Sequence, residues 1–275
     1  MDDLEKSKQA NIVYHQATAD TYRQQQPHYR PENVARIERD LRRLKELSQG
    51  ERLLDLGCGM GFIIDIAKPI FSYIRGVDAT PGMLEKVELG GGGDVAVSLG
   101  DVNALNFEDG CFDACTAHAL LHHLPELGPA LREAGRVLKK SGWLRTWLEP
   151  NAFFWELMIS QKAHTVDYVQ REITIVKQKD EQLANELGLE VEVVRLAEPI
   201  FLSKKGISED HFRSALEQAG FVDLTFHYHW FLGEGRLMHD NSDPMAVVRV
   251  RDYLTEILPC SRPLFKYVEV TARKD

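Results

Sequence analysis

The stretch that most restricts what this chain can fold into runs from Arg52 to Phe62, Arg-Leu-Leu-Asp-Leu-Gly-Cys-Gly-Met-Gly-Phe. Leu53, Leu54 and Leu56 form a short apolar run with Gly50 before it and three alternating glycines after it, and Phe62, Ile63, Ile64 and Ile66 follow directly. The pattern reads as buried strand, tight turn and helix. Glycine is needed at 57, 59 and 61 because a side chain there would block a ligand's approach to the backbone or force an unfavourable positive φ. The loop is therefore shaped to hold something small. A dinucleotide turn spaces its glycines G-x-G-x-x-G, which would put the third at position 62. The chain has Phe62 there, which argues against a nicotinamide oxidoreductase.

An acid, Asp55, sits on the strand just before the glycines, and Leu54 to Gly61 resembles the first motif of the class I S-adenosylmethionine-dependent methyltransferases. Later segments resemble the family's following motifs in order. Tyr73 to Asp78 reads as a second strand ending in an acid, 21 residues beyond Gly57. A doubly wound fold places a carboxylate at that distance to take two ribose hydroxyls. The plain structural alternative for Asp78 is an N-cap before Pro81. Gly100-Asp101-Val102 follows a third strand, Val95 to Leu99. The resemblance implies that Asp101 accepts from the adenine amino group while Val102 lies against the ring. After a fourth strand, Phe112 to Ala117, comes His118-Ala119-Leu120-Leu121-His122-His123, which the family sets beside the methionine end of the cofactor.

The resemblance thus implies S-adenosyl-L-methionine as cofactor, bound by Asp55, Gly57, Cys58, Gly59, Gly61, Asp78, Ala79, Met83, Asp101, Val102, Ala117 and His118. It also implies an α/β fold: a doubly wound seven-stranded sheet, mostly parallel with the last strand antiparallel, carrying a helical lid inserted after strand 5. The chain divides accordingly into an N-terminal helical cap (1–48), a cofactor-binding core (49–150), the lid (151–206) and the C-terminal part of the sheet (207–275).

The rest of the chain fills in this outline. Pro31 in a first turn, then Val34, Ile37, Leu41, Leu44 and Leu47 at helical spacing, with Gly50 as a stop, predict a helix that packs on the sheet. Ahead of it, Tyr14-His15 and Tyr22-Arg23 lie in a segment that in the family often folds over the cofactor; surface tyrosines are the alternative. Pro125 to Lys140 reads as an amphipathic helix ended by Gly142, and Trp143 to Glu149 as the fifth strand. About fifty-five residues then separate that strand from the capped helix at Ser208, far more than an ordinary connection. They include an apolar helix start, Ala152 to Ile159, and a more polar helix, Asp180 to Gly188. Val222 to Phe231 alternates as a sixth strand, and Leu264 to Ala272 is the seventh. Strand alternation puts His227 and His229 on one face, so they are expected to be buried together or exposed together.

Candidates for acid–base work are His118, Glu149 and His229, with no catalytic residue assigned. Glu149 points to the cofactor edge, where it orients or deprotonates a substrate, or else caps the next helix. The segment Glu149-Pro150-Asn151 follows strand 5, not strand 4, so it differs from the Asn/Asp-Pro-Pro-aromatic motif of base-amino methyltransferases. Methyl transfer from a sulfonium needs chiefly alignment and exclusion of water.

With 44% hydrophobic residues, a formal charge of −9 and pI near 5.6, the chain suits one large soluble unit and disfavours nucleic acid or an anionic membrane as partner. It lacks an apolar leader and any run long enough to span a bilayer, so a cytoplasmic protein is expected. Cys58, Cys111, Cys115 and Cys260 do not form a disulfide framework. A zinc site of Cys111, Cys115, His118 and His122 is disfavoured, since residues 111 and 115 of one strand lie about 13 Å apart. Thiolates on one zinc are within about 4.6 Å, and no metal is expected. The implied function is methyl transfer to an O, N or C atom of a small molecule, an aromatic or secondary metabolite among them. The alternatives are a tRNA or protein methyltransferase and a non-enzymatic adenosylmethionine-binding regulator. Oligomeric state is not legible.

Overall fold

The computed structural model describes residues 3–19, 23, 26–200, 206–240, 243 and 245–275; Tyr22 and residues 201–205 of the insertion lie outside them. Seven strands form one sheet in the order β3-β2-β1-β4-β5-β7-β6. They are β1 (Arg52–Leu56), β2 (Tyr73–Asp78), β3 (Asp94–Leu99), β4 (Phe112–His118), β5 (Leu138–Pro150), β6 (Phe221–Phe231) and β7 (Phe265–Lys274). β1 to β5 pair in parallel, and β7 runs antiparallel between β5 and β6. The order reverses direction at β1, between β2 and β4, the crevice where open α/β sheets bind ligands.

Helices cover both faces. On one side α2 (Pro31–Ser48) and α3 (Phe62–Ala67) bury Ile37, Leu41, Leu44, Phe62 and Ile64 against Leu53, Ile74 and Trp147. On the other, Leu131 and Ala134 of α5 (Leu127–Val137) and Phe212 and Leu216 of α9 (Glu209–Gln218) pack on Leu54, Cys115 and Val270. Between them in the chain, α4 (Pro81–Leu84) follows β2. Leu53 and Leu54 thus serve opposite cores, as strand alternation requires.

Several boundaries differ from the sequence reading. α2 ends at Ser48 with Gln49, not Gly50, in the left-handed conformation (φ 51°). Gly50 is needed for another reason: a Cβ there would lie 2.0 Å from Asp113, whose carboxylate accepts the backbone N–H groups of Glu51 and Arg52. α5 stops at Val137, and Leu138 already pairs with Phe112 in the sheet; residues 139–142 make a short excursion before Trp143 pairs with Ala114.

The insertion after β5 contains α6 (Ala152–Ser160), α7 (Asp167–Leu187) and α8 (Val191–Ala197). α7 is much longer than the expected Asp180–Gly188, because Val169, Ile173 and Val176 continue its buried stripe against Phe154, Trp155 and Met158. Phe153 stays partly exposed. α1 (Asp3–Thr18) lies on α7 and α8 through Ala10 and Tyr14 against Ala184, Val194 and Ala197. Ser7 Oγ donates to the Leu196 carbonyl at 2.7 Å, and Asn11 Nδ2 to that of Ala197 at 3.2 Å. α10 (Glu234–Asp240) and α11 (Ala246–Glu256) close the chain between β6 and β7. Among the described residues no helix is long and apolar enough to cross a membrane.

Candidate active site

A cavity opens at the carboxyl ends of β1, β2 and β4, and its wall is built from the strand-end turns. Gly57 and Gly59 hold positive φ (62° and 50°), which a β-carbon disfavours. A Cβ on Gly57 would collide with Leu120 at 2.4 Å, whereas one on Gly59 would meet nothing within 4 Å. Gly59 therefore presents bare backbone to open space, a cradle into which a ligand fits. The next wall is Asp78: its Oδ2 accepts the Gly59 N–H and its Oδ1 the Thr80 N–H, both at 2.8 Å. Burial pushes the Asp78 carboxyl up, against those two N–H donors.

Asp78, Ala79, Met83, Asp101, Val102 and His118 line the cavity together with Gly57 and Gly59. Asp101 Oδ1 accepts from Asn103 N and Nδ2, and its Oδ2 lies 2.9 Å from Lys8 Nζ. Burial would raise this carboxyl, but Lys8 and Asn103 hold it below its usual range.

Four expected cofactor residues support this wall from behind. Cys58 faces inward, its Sγ 2.7 Å from where a Cβ on Gly76 would stand, so the thiol fills the space that glycine leaves. Asp55 is buried and bonded to Thr116 Oγ1 at 2.8 Å; burial pushes its carboxyl up to about 8. Gly61 caps α3, and Ala117 is buried in the core. None of the four is among the cavity-lining residues.

The three acid–base candidates separate. His118 lines the cavity, and its ring lies among His28 and Phe62, each 5.0 Å away, and Trp147 at 6.3 Å. Burial lowers its pKa well below the usual histidine value, and its Nε2 has no hydrogen-bond partner among the described residues.

Glu149 is wholly buried and does not line the cavity. Leu148 adopts a positive φ (58°) where the β5–β7 register shifts, a bulge that re-aims the following side chain. The Glu149 carboxylate thereby accepts the backbone N–H groups of Leu120, Leu121 and His122. It anchors the turn Leu121–His123 after β4, whereas Asn151 caps the helix that follows β5. Burial pushes Glu149 up to about 7, opposed by these donors. The expectation that it meets a substrate is corrected: it positions backbone.

His229 lies away from the cavity, on β6, and burial lowers it to about 4. His227 on the same strand is exposed, against the expectation of a shared fate. Arg251 of α11 is a charge neighbour of His229.

The roof comes from the expected N-terminal cap, although His15 is the only one of its lining residues that the sequence reading singled out. Glu5, Lys8, Asn11 and His15 of α1 line the cavity, with His123, Leu124 and Pro125 on the rim. Gln16 Oε1 accepts the Gly82 N–H at 3.1 Å, tying α1 to the start of α4. The His15 and His123 rings meet edge to face at 4.7 Å. The described residues of the insertion reach this space indirectly, holding α1 from outside and contacting His123 through the Ala197 carbonyl at 3.1 Å. α1 carries no clear apolar stripe, so only the family resemblance pointed to it as a cover, and Glu5, Lys8 and Asn11 had no signal of their own.

Comparison with known proteins places this architecture. Residues 54–146 match a family described as a methyltransferase domain. An uncharacterized methyltransferase of Bacillus subtilis, YcgJ, is 33% identical over 42% of this chain and 48% of its own length. A malonyl-[acyl-carrier protein] O-methyltransferase of Legionella pneumophila is 32% identical over 44% of this chain and 47% of its own. The matched part of the chain spans about half the length of these curated relatives. Among solved structures, an S-adenosylmethionine-dependent methyltransferase of Mesorhizobium loti superposes with TM-score 0.52 over 86% of this chain and 96% of its own, at 17% identity, a likeness of fold.

Proposed function

We propose that the chain, whose residues 54–146 match a methyltransferase domain, is a class I S-adenosylmethionine-dependent methyltransferase that transfers a methyl group from S-adenosylmethionine to an O, N or C atom of a small molecule. The observation that carries this reading is the continuous wall from Gly57 and Gly59 through Asp78 to Asp101 and Val102, in one cavity at the switch of strand order.

Asp78 is the proposed ribose acceptor, because both its oxygens are pinned by backbone N–H and retain lone pairs toward the cavity. Asp101 offers an in-plane acceptor for the adenine amino group, and Val102 a flat apolar contact. Gly57, Gly59 and His118 bound the methionine end. Bound there, the cofactor supplies a methyl group already activated on sulfur. The protein's part is to align the acceptor atom and exclude water, and the α1 roof supports the second task.

A small-molecule acceptor is favoured by the charge of −9 and by the enclosure of the cavity beneath α1. Malonyl-[acyl-carrier protein] and geranyl diphosphate are named for two similar proteins; a small organic acceptor group is in keeping with the proposal. His118 is the ring nearest the methionine end by this reading; burial holds its pKa well below the usual histidine value, which makes it a weak base, so its proposed part is to bound the site rather than to take a proton.

The test is calorimetric titration with S-adenosylmethionine and S-adenosylhomocysteine. Saturable binding that Asp78→Ala weakens by at least tenfold is expected; absence of binding, or binding indifferent to that change, defeats the reading.

A further inference from the structure

α1 comes from the start of the chain and the insertion from its middle, yet α1 is joined more firmly to the insertion than to the core. Ala10 and Tyr14 are buried against Ala184, Val194 and Ala197, with Leu183, Leu187 and Leu196 partly buried around them. The Ser7 and Asn11 hydrogen bonds to the Leu196 and Ala197 carbonyls close the same seam. Toward the core α1 makes chiefly polar contacts: the partly exposed Lys8–Asp101 pair, Gln16 on the Gly82 N–H, and the edge-to-face rings of His15 and His123. Ala19, just past the helix, adds a small apolar contact with Met60 and Met83. Buried apolar side chains hold an interface in proportion to the area they remove from water, whereas exposed ion pairs hold little. The seam facing the core is therefore the weaker one, and the cavity lies along it.

The insertion is fastened to the core at two places. In the first half of α7, Val169, Ile173 and Val176 pack on Phe154, Trp155 and Met158 of α6, and Glu172 Oε2 meets Lys266 Nζ of β7 at 2.8 Å. Beyond α8, Ile200 is buried in the core. Just before it, Glu198 Oε2 lies 3.8 Å from His122 Nε2 and 3.9 Å from His123 Nδ1, in a cluster at the cavity rim. His123 Nδ1 donates to the Ala197 carbonyl at 3.1 Å. Between these fastenings, the second half of α7 and α8 carry α1 over the cavity.

With adenosylmethionine as the cofactor, the reading on which this rests, we propose that α1, α8 and the second half of α7 move as one cover, which opens along the seam between α1 and the core to let the cofactor in and out and stays whole along the seam between α1 and the insertion. Opening parts Lys8 from Asp101 and Gln16 from Gly82 and uncovers the proposed adenine and ribose acceptors, while the fastenings at Lys266 and Ile200 serve as the hinge. The insertion thereby controls cofactor exchange through a helix from the start of the chain. A contact made whenever the cover is down, in the empty and the loaded protein alike, cancels from the affinity but slows both entry and exit. A contact that stays intact throughout the motion affects neither rate.

Stopped-flow tryptophan fluorescence of the full chain with S-adenosylhomocysteine reads the two rates. Gln16→Ala, outside the cavity lining, is expected to raise the association and dissociation rates each about threefold or more with Kd held within about twofold. Ser7→Ala, which loosens only the seam between α1 and the insertion, leaves both rates within about twofold. A staple tests the same seam in the opposite direction. A Cβ on Gly82 would lie 2.7 Å from Gln16 Cδ, with the Gln16 side chain supplying its nearest atoms. Gln16→Cys with Gly82→Cys, in a background of Cys111→Ser and Cys260→Ser that removes the cysteines not fully buried, is therefore placed for a disulfide. Its oxidation slows both rates about tenfold or more, and dithiothreitol restores them. Rates that Gln16→Ala leaves unmoved, that Ser7→Ala raises as much, or that persist through the closed disulfide overturn the proposal. A parent protein that binds no S-adenosylhomocysteine overturns the cofactor reading and the cover with it.

Discussion

Glu149 and His122 form a buried pair in which one carboxylate oxygen, Oε2, accepts the His122 backbone N–H at 3.0 Å and lies 2.9 Å from its ring Nδ1. The other oxygen accepts from Leu120 and Leu121. A single side chain on β5 thus holds the turn that follows β4. Each buried N–H left without an acceptor costs about 1–3 kcal/mol. Glu149→Ala should therefore lower unfolding stability by at least ~3 kcal/mol, and Glu149→Gln, which keeps one acceptor oxygen, by less. Urea denaturation measures both; an alanine variant as stable as the parent contradicts the anchoring role.

Asp55 gives the fold a pH dependence. Its carboxyl is pushed up to about 8 by burial, against about 3.9 in an unfolded chain. Because the folded pKa is the higher, the stabilising contribution is complete below about pH 4 and is lost as pH rises toward 8. Across that window the parent protein should lose up to ~1.4 kcal/mol per pH unit relative to Asp55→Asn, which cannot ionise. Unfolding curves from pH 5 to 8 for both proteins check this, and parallel pH profiles would count against it.

Lys8 and Asp101 separate roof from pocket. Their pair is 39% and 30% exposed, so Lys8→Ala should change stability by less than about 1 kcal/mol. Asp101→Ala should instead weaken adenosylmethionine binding about tenfold, the loss of one hydrogen bond to a charged acceptor. Calorimetry on the two variants tells the roles apart; equal affinities in the parent and in Asp101→Ala would remove Asp101 from the adenine site.

Glu269 sits under α2, with Arg36 Nη1 at 2.9 and 3.0 Å and Arg145 Nη2 at 2.8 Å. Burial alone would raise its carboxyl, but the two guanidiniums hold it below the usual range. Removing one partner of a buried ionic cluster leaves uncompensated charge, so Glu269→Ala should cost about 3–5 kcal/mol. Thermal and urea unfolding will show it, and a loss below ~1 kcal/mol would mean that water or rearrangement satisfies both arginines.

Much of the core was legible because its signals are local. The glycine spacing at 57, 59 and 61, the acid at the end of β2 and the Gly100-Asp101 turn each depend on what one short segment of backbone can do, and their order along the chain repeats the order of the strands. The α7 stripe of Val169, Ile173 and Val176 went unread, since the sequence reading began that helix at Asp180. Asp55 and Cys58 show the limit. Their positions in the motif are plain in the sequence, yet the side chains turn behind the loop, where Thr116 and Gly76 receive them.

By itself the sequence determined the strand-turn-helix units and the succession of turns around the cavity, since these follow from glycine's backbone freedom and from apolar periodicity. Only the tertiary structure decided which residues line the roof, the anchor and the rim cluster. α1 is held by single hydrogen bonds to residues nearly two hundred positions away. Glu149 turns inward because of a bulge at Leu148. Glu198 meets His122 and His123 through the packing of α8 beside the turn after β4. Contacts of this kind have no period and no fixed spacing, so nothing in the linear pattern of residues encodes them until the chain has packed.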